Sequence, residues 1–108
     1  MLALLESVVG FEWDDGNWLK NERHGVHFRE AEEVFLSANP LIAADPGHSA
    51  LELRFHALGM TKAGRLLHVT FTLRSKDTLI RVISARDMSR RERVIYAQAT
   101  QKNTVIRH

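Results

Sequence analysis

The sequence predicts an α+β domain: a short strand and two helices, then a mostly antiparallel sheet, then a closing helix. Three observations carry this. Phe28, Ala31, Val34 and Phe35 recur at spacings of three, four and seven, so they share one helix face. Apolar and polar residues alternate with a strand's period of two over 51–60 and again over 65–74. Ser89 and Glu92 form an S-x-x-E capping box just after the last strand. Helices and strands segregated in this way make α+β rather than a wound α/β sheet.

Taken in order, residues 8–13 read as a short strand, and Asp14-Asp15-Gly16-Asn17 breaks it with turn and helix-start residues. A first helix is expected over about 17–23, stopped by Gly25, since glycine tolerates the left-handed conformation past a helix end. A second covers about 28–37, with Glu30, Glu32 and Glu33 on its outer side and Asn39-Pro40 beyond it. Residues 41–44 are a strand candidate, followed by the turn Asp45-Pro46-Gly47. In the strand over 51–60, Leu51, Leu53, Phe55 and Ala57 point one way and Glu52, Arg54 and His56 the other. Residues 61–64 make a glycine-containing hairpin turn. The next strand sets Leu67, Val69, Phe71 and Leu73 against His68, Thr70, Thr72 and Arg74. After Ser75-Lys76-Asp77, residues 79–85 are apolar on both sides except for Arg81 and Ser84, which predicts a central strand. The last helix carries Val94, Ile95 and Ala99 and ends near Asn103.

A chain of 108 residues is one domain's worth, here 1–108 with residues 1–10 as an N-terminal extension. Those ten residues are apolar but contain Glu6 and lack a basic leader, so they read as the approach to the first strand rather than a signal peptide. The absence of cysteine excludes disulfides, zinc-thiolate sites and thiol catalysis, and suits a reducing, cytoplasmic setting. No apolar run has the length of a membrane span, so no membrane partner is expected. Net charge is only +2, but its distribution is uneven. Acids cluster early (Asp14, Asp15, Glu22, Glu30, Glu32, Glu33) and arginines late (Arg65, Arg74, Arg81, Arg86, Arg90, Arg91, Arg93). A basic half points to a polyanion or an acidic partner, and the guanidinium fork suits phosphate.

If the apolar residues of the strands face the helices, the opposite face collects Glu52, Arg54, His56, His68, Thr70, Thr72, Arg74 and Arg81, with Arg86, Arg90 and Arg91 as a rim. Cleaving RNA without a metal needs a base for the ribose 2′-hydroxyl, an acid for the departing 5′-oxygen and cations for the charge gathering at phosphorus. Glu52, His56 or His68 suits the proton transfers; Arg54, Arg74 and Arg81 suit the phosphate. The competing reading is a solvated sheet face laced by Glu–Arg pairs, and residue types alone leave that reading ahead. The six histidines show no ligand spacing: Gly25 interrupts His24 and His27, and there is no H-E-x-x-H. No metal or other cofactor is expected. Trp13 and Trp18 read as core or partner-contact aromatics.

The order of short motifs tips the balance. Phe11-Glu12-Trp13-Asp14, Asn21, His24-Gly25-Val26, Glu30-Ala31 and Val34-Phe35 are followed by His48-Ser49, Glu52-x-Arg54, Leu58-Gly59-x-Thr61 and Gly64-Arg65-Leu66-Leu67. Then come Thr72-x-Arg74, Ile80-Arg81-Val82-Ile83-Ser84-Ala85-Arg86 and Glu92-Arg93-x-x-Tyr96. This set, spanning about 11–98, resembles the BrnT family of type II toxin–antitoxin ribonucleases. One departure is Arg23, where relatives commonly carry Lys before His-Gly-Val. The resemblance implies a RelE-like fold with a curved sheet, helices on one face and RNA on the other. It implies an endoribonuclease that inhibits translation. It also implies a BrnA-like antitoxin that forms a heterotetramer with the toxin and contacts promoter DNA itself. Carried over by motif position, Arg54, Arg74, Arg81, Arg86, Glu52 and His24 are the candidate catalytic residues, with Arg65, Arg90 and Arg91 as RNA contacts. His56 and His68 fall outside the motif. The alternatives are a non-catalytic module that binds through the same face, or a degenerate toxin that pairs with its antitoxin and co-represses the operon.

Overall fold

The computed structural model describes residues 2–37, 39–47 and 52–105. A short 3-10 turn (Leu2–Leu5) leads into β1 (Gly10–Phe11), α1 (Asp15–Arg23) and α2 (Phe28–Leu36). β2 (Leu41–Ala44), β3 (Phe55–Met60), β4 (Leu66–Arg74) and β5 (Leu79–Asp87) follow, and α3 (Arg90–Val105) closes the chain. The five strands form one sheet in the order β1-β5-β4-β3-β2. Every pair is antiparallel except β1 with β5.

Two kinds of local chemistry start the helices. Asp14 Oδ1 accepts from the backbone N–H groups of Gly16 and Asn17, as an N-cap does for α1. At α2 the cap is His27: its ring accepts from Arg29 N, while the Glu30 carboxylate accepts from His27 N at 3.0 Å. This is the reciprocal logic of a capping box with an imidazole in the serine's place. The predicted box at α3 is present, with Ser89 N donating to Glu92 at 2.9 Å and Glu92 N to Ser89 Oγ at 3.2 Å.

The core lies between α2 and one face of the sheet. Val26, Ala31 and Val34 meet Ala57, Leu67, Val69, Phe71, Ile80, Val82 and Ala85, all fully or almost fully buried. Phe35 stands edge-on to Phe71 at 4.9 Å. Between Thr70↔Ser84 and Phe71↔Val82 the β4–β5 ladder carries a bulge, with Ile83 as the extra residue. A bulge bends and twists its strand, which curves the sheet.

Four expectations change. The strand over 8–13 contracts to Gly10–Phe11, flanked by single bonds from Val9 N to Thr78 O and from Glu12 N to Ile80 O. Leu53 is 64% exposed rather than buried, because β3 begins only at Phe55 and the pleat does not reach it. β5 lies second from the edge, and β4 is central; β5 still has a partner on each side, which its apolar character reflects. The helices do not share one face: α1 and α2 back the core, whereas α3 brings Glu92 and Ile95 to the opposite face beside His56, His68 and Leu58. His48, Ser49 and Leu51 lie outside the described residues.

Gly59 is where α2 comes closest to the sheet: a Cβ there would sit 2.7 Å from Val34 Cγ1 and 3.3 Å from Val34 O. Gly59→Ala should therefore destabilise the fold by about 1–3 kcal/mol, the usual cost of overpacking, measured by urea unfolding monitored by circular dichroism.

Candidate active site

β4 positions the site through its pleat. Leu67, Val69 and Phe71 enter the core, so His68, Thr70 and Thr72 project from the other face. In register beside them stand His56 (opposite Thr70), Leu58 (opposite His68), Arg86 (opposite His68) and Ser84 (opposite Thr70).

His56 and His68 stack, with ring centroids 4.9 Å apart. His56 is held at both nitrogens: Nε2 lies 3.1 Å from Asp45 Oδ2, and Nδ1 lies 3.1 Å from Thr70 Oγ1. A carboxylate only accepts, so the proton belongs on Nε2 and a neutral ring takes the Thr70 hydroxyl at Nδ1. His68 is less committed; its Nε2 is 3.8 Å from Glu92 Oε2, outside hydrogen-bond range. Burial, followed by the nearby Arg86 charge, lowers its pKa, although Glu92 pulls the other way. Burial and the Arg86 charge both favour the neutral form of the His68 ring. Above it, Arg86 and Glu92 form a two-pronged pair at 2.8 and 2.9 Å. That pairing, with the Ser89 N–H, brings the Glu92 pKa down to about 2 despite its desolvation.

A second cluster lies farther along the sheet. Glu52 is 3.9 Å from Arg54 and 3.7 Å from Arg74, so two cations share one carboxylate. Arg54 Nε is shielded from solvent without a hydrogen-bond partner. Glu52 and Arg74 line a hollow of about 490 Å³ together with Leu4, Leu53 and Thr72.

The remaining predicted residues separate from these clusters. Arg81 grips Asp14 with two bonds of 2.9 and 3.0 Å and Glu12 with a third of 2.9 Å. Arg65 donates to Asp87, Glu30 and the Gly25 carbonyl. His24 is exposed in the turn between α1 and α2, on the helical side of the sheet. Arg90 and Arg91 are exposed at the start of α3. Among the described residues, no group of three or more His, Asp or Glu could hold a metal ion, and no helix is long and apolar enough to cross a membrane. The sequence did not single out Asp45 and Thr70, the partners of His56. The Thr70 signal was present in the alternation with His68; Asp45 read only as a turn residue.

Residues 13–92 match the family described as the ribonuclease toxin, BrnT, of type II toxin–antitoxin systems. The chain belongs to the BrnT family. A crystal structure of the Brucella abortus ribonuclease toxin BrnT superposes on it with a TM-score of 0.55 and 25% identity, over 77% of this chain and all of the other. No protein of curated function matches the chain significantly. The BrnT match takes in both clusters of the sheet face, the Arg65 tie, the Arg81–Asp14 tie and Glu92, but not Glu12, and ends before the rest of α3.

Two outcomes follow. Glu92 titrates lower in the folded state than its ordinary value of 4.5, so its contribution to stability is complete above pH 4.5 and drains away as pH falls toward 2. Urea unfolding at pH 6 and pH 3 should show a smaller acid-induced loss for Glu92→Gln than for wild type. Arg81 makes three bonds to carboxylates, so Arg81→Met should lower the melting temperature more than Arg74→Met, measured by calorimetry.

Proposed function

We propose that this chain is a metal-independent endoribonuclease toxin that cleaves RNA in the cytoplasm, inhibits translation and is neutralised by a BrnA-like antitoxin. The observation that carries the reading is the polar face of β4, where the half-buried His68 imidazole stands in register beside Arg86, with the Arg54–Arg74 pair farther along the same sheet. The curved sheet backed by α1 and α2 is consistent with the RelE-like architecture that the BrnT resemblance implies.

In the chemistry this face supports, His68 takes the proton from a ribose 2′-hydroxyl and the 2′-oxygen attacks the adjacent phosphorus. The P–O2′ bond forms as the P–O5′ bond breaks, the departing oxygen takes a proton from solvent water and the His68 imidazolium returns its proton to solvent, leaving a 2′,3′-cyclic phosphate and a 5′-hydroxyl. Arg86, in register beside His68, binds the phosphate and the charge that accumulates on it, while Arg54 and Arg74 hold the backbone farther along the sheet. Glu52 keeps Arg54 and Arg74 together. Arg90 and Arg91 hold the flanking backbone, electrostatically and without sequence choice. We assign Arg81 and Arg65, both committed to carboxylates, to maintenance of the scaffold; His24 keeps only its motif position and receives no step. The antitoxin would cover this basic face in a heterotetramer and alone contact promoter DNA.

Purified, antitoxin-free protein should cleave a defined RNA in EDTA. Arg86→Ala should lower kcat by about 10²–10³, the usual cost of one transition-state donor, with its circular dichroism spectrum unchanged. Undiminished cleavage by a folded Arg86→Ala protein would remove Arg86 from the reaction.

A further inference from the structure

One cavity on the polar face is unlike its surroundings. It is an open hollow of about 330 Å³, lined by Leu41, Leu58 and Ile95, the imidazoles of His56 and His68, and Glu92. That volume lies at the small end of ligand pockets. Its walls are aliphatic and aromatic. Its one carboxylate is already ionised and occupied by Arg86, whose guanidinium stands at the same place on the sheet. An anion gains nothing inside this cavity, and a metal finds no ligand cluster among the described residues. A flat, weakly polar ring does fit the chemistry: it stacks on imidazole and packs on aliphatic carbon, provided that it carries an anionic group for Arg86 just outside.

We infer that this cavity is a nucleobase subsite, which receives one unpaired base of single-stranded RNA while the attached phosphodiester lies over Arg86. The inference rests on the ribonucleolytic reading for its ligand class but not on catalysis. Ile95 becomes a specificity-determining residue: it lines the cavity from α3 and takes no part in the chemistry. It is 44% exposed on a helix surface, so a larger side chain there fills the cavity without burying anything new in the core. Val94, its neighbour, is 50% exposed and does not line the cavity.

The test uses fluorescently labelled 2′-O-methyl RNA oligonucleotides, which cannot be cleaved by 2′-hydroxyl attack, each with a single abasic position. Binding to the full chain is read by anisotropy. Stacking energies of single bases, converted at tenfold per 1.4 kcal/mol, correspond to an affinity loss of about ten- to hundredfold when the seated base is removed. Wild type should show this loss at one position only. Ile95→Trp should bind the intact oligonucleotide about tenfold or more weakly and ignore the abasic position. Val94→Trp should behave as wild type. Equal small losses at every position, or full position dependence in Ile95→Trp, would overturn the subsite. So would RNA binding that ignores Ile95→Trp, which would mark the cavity as the seat of a protein side chain. The cleavable 2′-hydroxyl RNA, run in parallel in EDTA, tests the enzyme separately: position-dependent binding without cleavage removes the ribonuclease and keeps the subsite, whereas no binding at all removes the subsite.

Discussion

The register of β4 is the constraint on which the rest of the molecule depends. This strand lies in the middle of the sheet, with one side in the core and the other under α3 and solvent. A slip of one residue would send His68 and Thr70 into the hydrophobic layer and expel Val69 and Phe71. Burial of these two core residues and desolvation of the two polar groups both oppose that slip, so the polar face is fixed by the face that carries stability. The bulge at Ile83 adds curvature without disturbing the alternation of β4 itself. Its effect falls on β5, where Val82 and Ala85 both reach the core despite an odd spacing.

Electrostatics divides the arginines between two tasks. The acidic first half and basic second half meet within the chain, as Arg81 closes on Glu12 and Asp14 and Arg65 closes on Glu30. Arg81 thereby ties β5 to the N-cap of α1 and secures an edge strand of only two residues. Removing one member of such a tie leaves its partners unmatched, which costs more than the pair contributes. The arginines at the polar face are different: Arg54 and Arg74 divide a single carboxylate between them, and Arg86 is held by a helix-borne glutamate. Unmatched positive charge is therefore confined to the Glu52–Arg54–Arg74 group, and the net charge of the whole chain is small.

Much of this was legible in the sequence because it obeys short-range rules. The alternation over 65–74, the glycine-bearing hairpin and the Ser89–Glu92 box all depend on spacing within a few residues, and each is found where expected. The Glu52–Arg54–Arg74 group was expected from alternation, but only Arg74 lies in a strand; Glu52 and Arg54 precede β3, and Glu52 meets both arginines by charge. What the sequence hid depends on distant geometry. Whether Arg81 reaches phosphate or Asp14 is decided by where the N-terminal turn lands, 67 positions away. The side on which α3 lies is set by Glu92 and Ile95 meeting the histidines, not by any strong amphipathic pattern of its own. Leu53 fits the alternation but precedes the paired segment. His27 caps α2 in a role that spacing favours but residue type conceals.

The account's central claim is that a base and cations on the β4 face drive attack by the RNA's own 2′-hydroxyl. The chemistry of the cut ends tests this most directly. RNA treated with the purified chain in EDTA should be analysed by mass spectrometry of the fragments. The account predicts 2′,3′-cyclic phosphate, or the 3′-phosphate it hydrolyses to, paired with 5′-hydroxyl ends. Fragments with 3′-hydroxyl and 5′-phosphate ends, formed only when a divalent metal is restored, would contradict it, because those ends require an external water as nucleophile.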